Sequence, residues 1–240
     1  MTLAVLPATI PDIHDVYAVY FAAFASQLVT DVLFPDALVP GPDGACPSAQ
    51  FLAAHAAATL QWWHHPASRM QHVLKCVDTV SGDIVGMAVW EVWWRGRREE
   101  RGERTKPVVP WLAGHRRDRA ERFLEGFWRA RERWIAGRRH VYLQTIAVHP
   151  AHQRRGIGRL LMQWGLDVAE RLNVPVYLEA TYEGLPLYEK CGFLRLKEGV
   201  VLGPEITKME HDIVAPLMVR MPGGLGRMTF EEWANGDEED

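Results

Sequence analysis

Apolar and polar positions along the 240 residues follow two periods, and the places where the period changes mark out the elements. Residues 3–6 are an apolar run closed by Pro7, which predicts a short strand. Over 10–25, Ile13, Val16, Tyr17, Tyr20, Phe21 and Phe24 recur at three- and four-residue steps, one face of a helix. Phe34-Pro35 and the run Pro40-Gly41-Pro42-Asp43-Gly44 break regular structure, leaving 30–44 as a loop. Ser48 then stands where it can cap a second helix ending near Trp63. The stretches 70–77 and 84–94 are rich in Val, Met and Trp and flank Ser81-Gly82-Asp83, which predicts an antiparallel strand pair joined by a hairpin turn.

Residues 95–110 are charged and turn-rich, after which Ala120, Phe123, Leu124, Phe127, Trp128 and Trp134 keep the 3.6-residue spacing of an amphipathic helix. A strand over 141–148, an amphipathic helix over 158–172 (Leu160, Leu161, Trp164, Val168, Leu172) and a strand over 174–180 follow. Strand, glycine-bearing turn, helix and strand make a βαβ unit, whose two strands are expected to be neighbours, mainly parallel. A short helix over 183–190 is stopped by Gly192, and 214–219 is a last strand. With no internal repeat or low-complexity tract, a single α/β or α+β domain is the simplest architecture.

Composition narrows the class. Apolar residues at 48% and charged residues at 24% describe a chain able to bury a core, far from the signature of disorder. Cys46, Cys76 and Cys191 are odd in number, far apart and without a C-x-x-C pair, which argues against a disulfide framework or zinc ribbon and for a reducing compartment, the cytoplasm or the nucleus. No apolar run approaches the roughly 18 residues a membrane span needs, so no membrane partner is expected. The net charge of −3 is unevenly spread: 95–139 holds 15 Lys/Arg against 7 Asp/Glu, whereas 231–240 holds six acids and no base, which reads as a solvated tail. The basic segment could attract an acidic partner or nucleic acid, but an amphipathic helix with a solvated face explains it more simply, and no nucleic-acid partner is expected.

The chemistry concentrates between the strand ending at Val148 and the helix that follows, in His149-Pro150-Ala151-His152-Gln153-Arg154-Arg155-Gly156-Ile157-Gly158-Arg159. Gly156 and Gly158 let a ligand approach the backbone, and the helix start supplies free N–H groups and the positive end of its dipole, an anion site suited to pyrophosphate. The dinucleotide pattern G-x-G-x-x-G fails because residue 161 is Leu, and G-x-x-x-x-G-K-[ST] occurs nowhere. The residues resemble instead the acetyl-CoA motif [QR]-x-x-G-x-[GA] of the GCN5-related N-acetyltransferase (GNAT) superfamily, as Gln153-Arg154-Arg155-Gly156-Ile157-Gly158. The preceding strand Leu143-Gln144-Thr145-Ile146-Ala147-Val148 is similar to that family's too. So is the block Tyr177-Leu178-Glu179-Ala180 followed by Gly184-x-x-Leu187-Tyr188-Glu189-Lys190-Cys191-Gly192-Phe193. The resemblance covers about 50 residues in two ordered blocks.

That resemblance implies a single GNAT-like α/β domain over 1–225, a mixed central sheet flanked by helices, with a helical basic insertion at about 95–139 before the acetyl-CoA strand and an acidic tail over 226–240. It implies an acetyl-CoA-dependent N-acetyltransferase, with acetyl-CoA as co-substrate and no metal. Backbone groups of Ile146, Ala147 and Val148 would meet the pantetheine arm. Backbone N–H groups of Arg154, Arg155, Gly156, Ile157, Gly158 and Arg159 would hold the pyrophosphate. The acceptor would be a small-molecule, peptide or protein amine, and nothing in the pattern sets which, nor an oligomeric state.

Acetylating an amine poses two proton problems. An amine of pKa about 10.4 must shed its proton before attack, and the departing thiolate gains one. The resemblance gives Tyr188 the acid role, and a phenol near pKa 10 is protonated at neutral pH. It offers Glu179 as a base; strand alternation sets Glu179 and Leu178 on opposite faces, so they are not both expected in the core. Glu91 and His149 are further base candidates. His55, His64, His65 and His72 lack metal-ligand spacing, and Trp62, Trp63, Trp90, Trp93 and Trp94 read as core and pocket wall. Two other classes stay open: a non-catalytic acetyl-CoA-binding module, and a nucleic-acid binder using 95–139.

Overall fold

The computed structural model describes residues 2–41, 44–63, 70–95 and 106–236. The elements run β1 (Leu3–Pro7), α1 (Ile13–Ala23), α2 (Leu28–Leu33), β2 (Leu38–Gly41), β3 (Gly44–Pro47), α3 (Ala49–Trp63), β4 (Gln71–Asp78), β5 (Ile84–Trp93), α4 (Gly114–Trp134), β6 (His140–Val148), α5 (Ile157–Leu172), β7 (Val176–Glu179), α6 (Leu185–Lys190), β8 (Leu194–Leu202), α7 (Pro204–Thr207), β9 (Ile213–Arg220) and α8 (Phe230–Asn235). Seven strands share one sheet in the order β1-β4-β5-β6-β7-β9-β8, with β2 and β3 as a separate hairpin. The strands of the βαβ unit, β6 and β7, are neighbours as expected.

The chain divides into two compact units, residues 1–92 with 143–164 and residues 93–142 with 165–240. In the first, β4 pairs antiparallel with β1 and with β5. Gly82 takes φ +82 in the turn between β4 and β5, a conformation that asks for glycine. The inward face of α1, Val16 and Val19, packs with Met87 and Val89 of β5 and Ala147 of β6, all under 7% exposed. Ser48 caps α3 as expected, its Oγ accepting from the Phe51 N–H at 3.2 Å.

Phe21, Phe34, Phe51 and His55 pack ring on ring with centroids 4.9–5.8 Å apart. Burial in that cluster pushes the His55 imidazole down from its ordinary range to about 4. An unfolded chain protonates this residue below about pH 6.5 while the folded chain resists until about 4. Its contribution to stability is therefore present above pH 6.5 and lost as pH falls from 6.5 to 4. Urea unfolding at pH 7 and pH 4.5 should show a loss on the order of 2 kcal/mol in the native chain. His55→Phe should lose less across the same interval; an equal loss in both would remove His55 from the pH dependence.

In the second unit β9 lies between β7 and β8, antiparallel to both. The stripe on α4 buries Ala120, Phe123 and Trp134, and several of its arginines find partners within the unit. Arg129 and Lys106 flank Glu125, Arg133 meets Glu198, Arg119 donates to the Ile206 carbonyl and Arg117 to those of Leu112 and Pro110. Much of the basic segment's charge is thus matched at home. Residues 96–105 of that segment lie outside the described residues.

Two sequence expectations change, and one element, β8, had no sequence expectation at all. The stretch 30–44 contains the end of α2 and the β2 strand rather than open loop, because strands of four residues are too short to show a period. The charged run 194–202 is β8, an edge strand that tolerates Arg, Lys and Glu on both faces. Residues 230–235 of the acidic tail form α8: Thr229 and Glu232 close a capping box, and Phe230, 2% exposed, stacks near Tyr177 and Trp134. The buried Arg138 guanidinium donates to the Ala234 carbonyl at its far end. Residues 237–240 lie outside the described residues.

Candidate active site

The loop between β6 and α5 belongs to the first unit and is set by a sequence of backbone choices. The His149 N–H donates to the Val85 carbonyl of β5 at 3.0 Å. One turn over 150–152 follows, capped by His149 Nδ1, which accepts from the Ala151 N–H at 3.3 Å. Burial and the neighbouring His152 lower the His149 pKa, keeping the imidazole in the neutral form that can accept this bond. Gln153 returns to extended backbone, its side-chain N–H reaching the Val148 carbonyl at 3.4 Å.

Arg154 then takes φ +63 and Gly156 φ +82, two left-handed residues that turn the chain into α5. Arg154 bears the strain an L-residue meets there, about 1–2 kcal/mol, while Gly156 avoids it. The Leu160 N–H returns to the Gly156 carbonyl at 3.1 Å, and the N–H groups of the first turn, Ile157 to Arg159, precede any i−4 partner within the helix. Gln153, Arg154, Arg155, Gly156 and Arg159 are exposed, whereas Ile157 is 1% exposed and anchors the turn. A Cβ on Gly156 would meet no atom within 4 Å, so open space lies over its backbone. These features fit an extended phosphate-bearing ligand laid along the backbone.

Gly86 of β5 makes this approach feasible. A Cβ there would come 2.6 Å from Ile157 Cγ2 and 3.1 Å from Leu161 Cδ1, so only glycine lets the strand press against the start of α5. The sequence reading passed over it, although an isolated glycine in a strand pattern signals close backbone approach. On β6, Ala147 faces the α1 core and Ile146 and Val148 are half-buried. Glu91, also half-buried, stands on β5 directly across the ladder from Gln71.

Tyr188 and Glu179 belong to the second unit. Tyr188 is 7% exposed on α6, its ring edge against Gly184, where an added Cβ would sit 2.7 Å from Cε2, and its face near Phe193 at 6.0 Å. Burial, with Cys191 adding to it, pushes the phenol well above its ordinary value of 10. Glu179 departs from expectation: its side chain is 8% exposed while Leu178 is fully buried. Both lie in the interior because Arg131 of α4 supplies the missing counter-charge. Arg131 donates from Nε and Nη2 to the two carboxylate oxygens at 2.8 and 3.1 Å, and Tyr142 adds a hydroxyl at 2.7 Å. No local pattern announces Arg131, which stands 48 residues earlier.

Among the described residues no group of three or more His, Cys, Asp and Glu could hold a metal ion, and no helix is long and apolar enough to cross a membrane.

Residues 43–193 match the model of the Acetyltransferase (GNAT) family. Probable acyltransferase SID5 of Ajellomyces capsulatus is 41% identical over 145 residues, 60% of this chain and 99% of that one. A histone acetyltransferase HPA2-related structure from Corynebacterium glutamicum shares the fold at TM-score 0.56 and 22% identity, covering 92% of this chain and 97% of that one. A phosphinothricin acetyltransferase from Sinorhizobium meliloti, solved in complex with AcCoA, does so at TM-score 0.52 and 14% identity, covering 95% and 93%. With the family's model spanning more than half the chain, the chain belongs to the acetyltransferase (GNAT) family and is an N-acetyltransferase.

Proposed function

We propose that the chain moves the acetyl group of acetyl-CoA to a primary amine by direct attack within a ternary complex. The observation that carries this reading is the left-handed pair Arg154 and Gly156 feeding the free first turn of α5, a backbone cradle for pyrophosphate. The N–H groups of Arg154 to Arg159 would bind that group, and backbone groups of Ile146, Ala147 and Val148 would align the pantetheine arm.

Tyr188 serves as the general acid in this reading. Burial keeps its phenol protonated throughout the neutral and mildly alkaline range, so it has a proton to give to the departing thiolate. Glu179 suits a different task from the base. Two guanidinium N–H groups and the Tyr142 hydroxyl already occupy its carboxylate, so its role is to tie α4 to β7 and β6. Glu179→Gln keeps the shape and removes the charge, and should lower unfolding stability by about 1–2 kcal/mol, given the partial exposure of Arg131. Turnover should fall by less than about tenfold; a loss of 100-fold or more at unchanged stability would restore the base role.

Thiol release from acetyl-CoA in the presence of arylamines, polyamines, amino acids or peptide N-termini tests the whole reading. Turnover with at least one class is expected. Stabilisation by CoA without any turnover would mean a binding module, and neither effect would remove acetyl-CoA from the account.

A further inference from the structure

Three side chains of the first unit form a chain of hydrogen bonds whose direction is chemically fixed. The Trp62 indole N–H, at the end of α3, donates to Gln71 Oε1 at 2.9 Å, and Gln71 Nε2 on β4 donates to Gln144 Oε1 on β6 at 2.9 Å. An indole nitrogen can only donate. It therefore holds the Gln71 oxygen toward itself, which turns the Gln71 amide nitrogen toward Gln144, which in turn draws the Gln144 oxygen inward. The outcome is that Gln144, exposed on the strand two residues before Ile146, presents an oriented pair of N–H donors outward. Glu91 stands opposite Gln71 in the β4–β5 ladder and so on the same face, contributing negative charge beside them.

We propose that Gln144, oriented by Trp62 through Gln71, binds a carbonyl oxygen of the acetyl acceptor, so that the protein favours amines bearing such an oxygen over plain alkylamines. This deepens the proposed transferase reading and rests on it, since it takes β6 as the strand beside which the acceptor is acetylated. Donors held in advance by neighbouring groups cost less ordering on binding than a free glutamine would, and a substrate lacking the oxygen leaves them unmatched. A positively charged acceptor body without an oxygen gains nothing from this edge.

The test compares kcat/KM for glycinamide with that for propylamine, the two amines being similar in size. Taking the ratio in each variant relative to the native chain cancels their different basicities. Gln144→Leu should reduce the preference for glycinamide by about 3- to 10-fold, the worth of a neutral hydrogen bond. Gln144→Glu, which replaces the N–H pair with oxygen, should reduce it further, and Trp62→Phe, which frees Gln71 to turn over, should reduce it by about 2-fold or more. CoA affinity, measured by titration, should stay within about twofold in all three. A ratio unchanged in Gln144→Leu, or equal losses for both amines, would overturn the role of Gln144 while leaving the transferase reading intact. Absence of turnover and of CoA binding in the native chain would overturn that reading and this inference together.

Discussion

Gly156→Asp is expected to weaken CoA binding by at least about 100-fold, equivalent to about 2.7 kcal/mol. Two costs add. The backbone at φ +82 charges an L-residue about 1–2 kcal/mol, and the loop must either bear this or relax away from the geometry that aims its N–H groups. The carboxylate would also stand within a few ångströms of a pyrophosphate, where like charges repel by about 4 kcal/mol at an effective dielectric near 20. Gly156→Ala separates the two: a Cβ there meets nothing within 4 Å, so only backbone strain remains and a loss of about 10-fold is expected. Isothermal titration with CoA reads both. Native affinity in the aspartate variant would show that the ligand does not lie on this turn.

Tyr188→Phe should reduce kcat by about 100- to 1000-fold with CoA affinity unchanged, the range for losing a positioned acid. The pH profile is part of the expectation. Because burial raises the Tyr188 pKa above 10, its ionisation should leave the rate flat from neutral pH to about 10, and any limb below that must come from another group. Gly184→Ala is a useful companion. Its Cβ would lie 2.7 Å from the tyrosine ring, so the ring must move while the hydroxyl survives, and kcat should fall without loss of the acid itself. Turnover within threefold of native in the phenylalanine variant would make Tyr188 a packing residue whose hydroxyl is incidental.

Much of the site's first part was readable along the chain because its physics is local. A left-handed glycine with a helix starting directly after it is a property of consecutive residues, so the turn over 153–159 was legible, and the second matching block over 177–193 completed the resemblance. The helices α1, α4 and α5 were equally legible, since each has an apolar face whose period survives over three or more turns, and α3 was legible from its Ser48 cap. Short and edge elements were not. β2 and β3 span four residues each, and β8 mixes charge into both faces because an edge strand meets solvent on more sides than a central one.

What the sequence alone determined is the order of the longer helices and central strands, the glycine turn before α5 and the position of Tyr188 after a matching strand. The tertiary structure decided how charge is settled. Glu179 looked like a free carboxylate on a strand. It became a buried one because α4 brings Arg131 beside it, and the cost of burying a charge is offset only by a partner that no local pattern foretells. The same holds for the relay from Trp62 to Gln144, whose members are 9 and 73 residues apart at its two links. Hydrogen bonds and ion pairs depend on distances of about 3 Å between side chains, and a linear pattern fixes such distances only within a turn or two of the chain.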